Sequence, residues 1–139
     1  MEYLSSIIKS IYKPMSTFRA ISYHRKARAW GWYTTLGFAI LYSITALILW
    51  LRGWVPFAPP TLPLSLEKYY LYQTFFTIPV GVIGVGASYF ITLGLLRLFK
   101  VDRREQNLWV TISIASCLPS FFTMWGLETY VAIFVNANT

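Results

Sequence analysis

Residues 69–99 read YYLYQTFFTIPVGVIGVGASYFITLGLLRLF, with no charged side chain between Lys68 and Arg97. Wound as a helix at about 1.5 Å per residue, this run reaches roughly 45 Å. The hydrocarbon core of a bilayer is about 30 Å thick. The stretch is therefore predicted to cross a membrane with a turn or more in hand. Pro79 is expected to kink it. Gly81, Gly84, Gly86, Ala87 and Ser88 supply part of a small-residue stripe, of the kind that lets helix backbones approach closely in lipid.

Composition agrees with that reading. The 139 residues are 56% hydrophobic and only 12% charged, where soluble domains carry about 25% charged residues. The ten tyrosines and six tryptophans suit an interfacial belt. Cys117 is the one cysteine, so no disulfide forms within a chain. No cleavable signal peptide is expected, because the first apolar run starts near Trp30 and is too long for a signal core.

Ahead of that run lies a predicted arm, residues 1–29. Tyr3, Leu4, Ile7, Ile8, Ile11 and Tyr12 recur at helical spacing opposite Glu2, Ser5, Ser6, Lys9 and Ser10. Pro14 is expected to open a second short helix to about Ser22, since a proline suits a first helical turn. The amphipathic pattern favours an arm in the headgroup layer, with packing on the protein's own helices as the alternative. His24, Arg25, Lys26 and Arg28 then form a basic cluster that marks a cytoplasmic membrane surface.

The membrane domain is expected over 30–139, with spans at about 30–52, 69–99 and 108–125. Trp30, Trp32, Trp50 and Trp54 anchor the first span. Pro56, Pro59, Pro60 and Pro63 keep the connector from being a regular helix. The second connector, Lys100 to Asn107, is charged, with Asn107 as the expected cap of the third span. That span carries Ser113, Ser116 and Cys117 on one face and Pro119 near its end. Residues beyond Gly126 are expected to form a last interfacial turn. Ten lysines and arginines fall on the side of the arm and second connector, against Arg52 and Lys68 on the other. This bias predicts a cytoplasmic N-terminus and a C-terminus on the opposite side.

Chemistry-bearing residues are scarce. Glu2, Glu67, Asp102, Glu105 and Glu128 all read as arm, loop or tail residues, and His24 is the one histidine. No metal-ligand spacing and no nucleophile–base pair is present, so no enzyme activity and no cofactor is expected. Arg25, Lys26, Arg28, Arg103 and Arg104 are the candidate contacts to anionic lipid headgroups. Nucleic acid is not an expected partner. Gly81, Gly84, Ser88 and Ser116 are the candidate helix-packing residues. The expected role is a scaffold or accessory subunit acting by helix contacts with other membrane proteins or with copies of itself. The alternative is a small homo-oligomeric channel or transporter lined by hydroxyls, with Thr77, Ser88 and Thr92 on one face.

One pattern resembles a known family. Pro14, Phe18 and Ile21 in PMSTFRAI precede the basic cluster, and Pro119 follows Leu118 in the third span. This is similar to the Yip (Ypt-interacting protein) family in its short prokaryotic form, although members typically carry more spans than the three that fit here. The resemblance implies a membrane scaffold or adaptor rather than a reaction, since eukaryotic members bind small GTPases and shape vesicle membranes.

Overall fold

A computed structural model describes residues 2–56, 64–100 and 105–135, and among them all regular structure is helical. Helix α1 is Glu2–Tyr12, α2 is Pro14–Ser22, α3 is Ala27–Leu51, α4 is Tyr69–Leu98, α5 is Glu105–Ser120 and α6 is Gly126–Phe134. A single tight turn, Leu66–Lys68, leads into α4. Helix α3 is central and packs along both α4 and α5, while α5 also touches α4 and α2.

Three helical runs are long and apolar enough to cross a membrane: Ala27–Leu51, Leu66–Leu98 and Leu108–Phe134. The helix bounds differ from the expected spans at three points. The first starts at Ala27, before Trp30, because the Lys26 amide donates to His24 Nδ1 at 3.1 Å and turns the chain into the helix early. The helix holding the third run starts at Glu105, so Asn107 is its third residue and not its cap. The third run also continues past Trp125. The backbone widens into one π turn over Phe121–Trp125 and enters α6 without a break. Pro119 is the reason. It has no N–H to return to the turn before it, so the ladder re-registers beyond it. Thr123 helps by donating to the Pro119 carbonyl at 2.9 Å. In α4 the helix passes through Pro79 unbroken.

The ends of α3 have clear causes. At its start, the basic turn is tied to α1: His24 stacks on Trp30 with ring centres 4.1 Å apart and lies 3.8 Å from the Glu2 carboxylate. At its end, Gly53 takes φ +73° while Gly53 N donates to Trp50 and Trp54 N to Leu49, both at 3.0 Å. That pair of bonds is the Schellman closure, and its left-handed residue is best a glycine.

The arm packs on the helices behind it. Ile21, Ala27, Trp30, Val110 and Ile114 form one buried cluster, with Tyr3, Ile7, Phe18 and Leu118 against it. Tyr3 shares a hydrogen bond with Thr34 at 2.7 Å. Burial pushes the Tyr3 hydroxyl above the usual phenol range, the Thr34 bond opposing, so it stays neutral. The other side of the arm is open, with Leu4, Ile8, Ile11, Tyr12 and Met15 exposed. One amphipathic arm thus turns one face to α3 and α5 and the other outward.

Candidate functional site

Three of the expected basic contacts, Arg25, Lys26 and Arg28, sit at one end of the bundle. They are exposed around the turn into α3. Basic groups at a helix N-terminus oppose its dipole, so helix stability does not account for them. Arg28 also rims a cleft of about 500 Å³ with Trp32, Gly86, Tyr89, Phe90 and Trp109. Arg103 and Arg104 lie outside the described residues, as do Pro59, Pro60 and Pro63 of the first connector.

The four candidate packing residues divide. Gly81 sits at the α3–α4 crossing, where an added Cβ would come 3.5 Å from the Ala39 Cβ. Gly84 faces open space, with nothing within 4 Å of such a Cβ, and Ser88 one turn on bonds back to its carbonyl at 3.0 Å. Ser116 is half-buried, its carbonyl accepting from Ser120. The tightest approach is at Gly31, which the sequence did not single out. There α3 meets Trp109 and Val110 of α5. Its only signal was a small residue between Trp30 and Trp32. Four residues on, Thr35 donates to Ser113 at 3.1 Å, both nearly inaccessible. The family-motif residues also divide: Phe18 and Ile21 enter the arm cluster beside Leu118, whereas Pro14 and Pro119 are exposed.

The hydroxyls expected to line a channel are bonded locally. Thr77 donates to the Gln73 carbonyl at 2.6 Å and Thr92 to that of Ser88 at 2.8 Å, as Ser88 does to that of Gly84. Each proton is thereby held by the helix's own backbone.

Three polar side chains meet at the far end of the bundle: Tyr42 of α3, Gln73 of α4 and Glu128 of α6. The Tyr42 hydroxyl faces both the Glu128 carboxyl and the Gln73 amide. Neighbouring bonds hold the three helices in register. Ser43 donates to the Thr74 carbonyl at 2.9 Å, Thr45 and Thr129 share a bond at 3.2 Å, and the Arg52 guanidinium donates to the Ala132 carbonyl. Glu128 Oε2 and Gln73 Oε1 are buried with no protein partner. Leaving such an acceptor unpaired costs about 1–3 kcal/mol, more when charged. The sequence reading placed Glu128 in a tail. It is inside the third apolar run because the π turn carries the helix past Gly126. The acids of the described residues therefore do not all lie in arms, loops or tail.

Among the described residues no group of three or more His, Cys, Asp or Glu side chains converges as a metal site. The architecture is that of an all-helical chain with three span-length helices, the class to which multi-pass membrane proteins belong. No family model, curated protein or solved structure matches the chain. Likeness to the Yip family accordingly rests on Pro14, Phe18, Ile21 and Pro119 alone.

Proposed function

We propose that this chain is a three-span membrane protein that works by contact, as a scaffold or accessory subunit packing against other membrane helices or copies of itself, without catalysis. The arm and the Arg25–Lys26–Arg28 turn lie on the cytoplasmic side, against anionic headgroups, and the end of α6 lies on the other. The observation that carries the contact reading is the outer surface of α4. Only 11% of its apolar stretch is buried within the protein, and a Cβ at Gly84 would meet nothing within 4 Å. Phe76, Val80 and Ile83, within about two turns of Gly84 on the same helix, are exposed. A glycine facing outward among large side chains leaves room for another backbone. The hydroxyl-lined channel is the weaker reading, because Thr77, Ser88 and Thr92 are occupied by their own helix. The resemblance to Yip proteins points the same way as the contact reading.

Gly84→Leu is the direct test. Filling that open space should weaken association by about tenfold or more, equivalent to roughly 1.4 kcal/mol, read as dissociation on dilution in mild detergent by native mass spectrometry. An unchanged assembly in a folded Gly84→Leu protein, or a native protein that is monomeric and alone, would sink the contact reading. Orientation has its own test. Changing Arg25, Lys26 and Arg28 together to glutamate removes much of the charge bias and should yield mixed orientations of a C-terminal reporter. A reporter held on one side in every molecule would show that these three residues do not set the topology.

A further inference from the structure

The buried acceptors around Glu128 ask for a guest. We infer that Tyr42, Gln73 and Glu128 form a binding site for a small monovalent cation, a proton or Na⁺, between α3, α4 and α6. The inference rests on the membrane reading above, since a carboxyl at membrane depth is costly and marks a site when it occurs.

Four observations lead there. Of the buried polar atoms without a partner, the indole N–H groups of Trp54, Trp109 and Trp125 are donors, and the two from this trio, Glu128 Oε2 and Gln73 Oε1, are acceptors, so what these two lack is a positive charge or a donor. The site is built from three helices at once, with Tyr42 between the other two, so it closes only when the bundle is assembled. Among the described residues no basic side chain is paired with the carboxylate. The Arg52 guanidinium on α3 is engaged by the Ala132 carbonyl, one turn beyond Glu128. Finally, the donors are all hard oxygens around one carboxylate. Soft metals are poorly served by such a set, and a divalent ion would leave excess positive charge in an apolar layer. Among the described residues the titratable groups facing the site are tyrosines: Tyr42 on α3, and Tyr69 and Tyr70 on α4. Glu128 is thus the group that exchanges a proton or trades it for Na⁺.

A hydrophobic carbodiimide tests this on the full chain in lipid nanodiscs. Dicyclohexylcarbodiimide adds to a protonated carboxyl within an apolar layer. The carboxyl oxygen bonds to the central carbon, its proton passes to nitrogen, and the adduct rearranges to a stable N-acylurea that retains the whole reagent. Peptide mass spectrometry should find the adduct at Glu128 and not at Glu2 or Glu67. Labelling should slow with rising pH, by about tenfold per unit once the carboxyl is mostly ionised. Slowing by NaCl but not by choline chloride identifies Na⁺, and dependence on pH alone identifies the proton. Gln73→Leu should weaken the protection by Na⁺ or shift the pH midpoint, and Glu128→Gln should abolish the adduct. The proposal is overturned if Glu128 is never labelled, if it labels no faster than Glu2 and Glu67, or if its protection depends only on a co-purifying protein, which would make the guest a partner's side chain. Extraction by alkaline carbonate reports separately on the membrane reading: a chain that resists it but shows no Glu128 adduct refutes only the cation site.

Discussion

Gly31→Ala should lower the stability of the folded bundle by about 1–3 kcal/mol, the usual cost of adding a carbon to a filled contact. A methyl group there would lie 2.9 Å from Trp109 Nε1 and 3.1 Å from the Val110 Cα, with the Trp109 Cδ1 closer still. None of these atoms can retreat easily. The Trp109 ring is held between Trp32, 4.9 Å away centre to centre, and Tyr89 at 5.7 Å. Val110 is fully buried and contributes backbone. The helical advantage of alanine over glycine, about 0.5–1 kcal/mol, offsets only part of the cost. Gly37 and Gly86 provide the contrast, since a Cβ at either meets nothing within 4 Å. Alanine at those two positions should be neutral or stabilising by up to about 1 kcal/mol. Thermal unfolding in detergent, followed by tryptophan fluorescence, separates the cases. A Gly31→Ala protein that melts with or above the parent would mean that α3 and α5 do not cross at this residue.

Gly31 also shows where sequence reading stops. The three span-length helices were legible because a long apolar run has a single regular form that satisfies its own backbone, and both arm helices were legible from their periodicity and from Pro14. The crossing at Gly31 was not, since a glycine's neighbour across a helix pair is decided by how the helices rotate, which no local pattern records. The stripe at Gly81 and Ser88 was more visible and is less used: Gly81 touches Ala39, while Gly84 faces outward. The third run was read too short for a physical reason. Pro119 and Gly126 are both ordinary signs of a helix end, and a π turn that absorbs a proline has no sequence signature of its own. That one shortfall moved Glu128 from the interior to a tail, and with it hid the three-residue polar site. Tyr42 and Gln73 alone, on two different helices, gave no reason to be paired.

The arm sets the second large expectation. Ile21→Ala should cost about 2–5 kcal/mol of arm docking, in the range found for truncating a buried branched side chain. Ile21 is 2% exposed and joins Ala27 and Trp30 on its own side of the contact to Val110 and Ile114 on α5. Polar contacts also tie the arm's first turn down: Tyr3 shares a hydrogen bond with Thr34, and Glu2 lies against His24, three residues beyond Ile21. An exposed pair of that kind contributes about 1 kcal/mol or less, so it cannot replace the lost apolar contact. Lys9 and Arg19 are exposed along the arm, which makes trypsin the natural probe. Cleavage at these residues in the folded protein should accelerate by more than tenfold in Ile21→Ala, whereas Met15→Ala, at a side chain 86% exposed, should leave the rate unchanged. The comparison also tells the two uses of the arm apart. If lipid alone holds it, Met15→Ala and Ile21→Ala loosen it alike in nanodiscs and neither matters in detergent. If packing on α5 holds it, the difference between them persists in both.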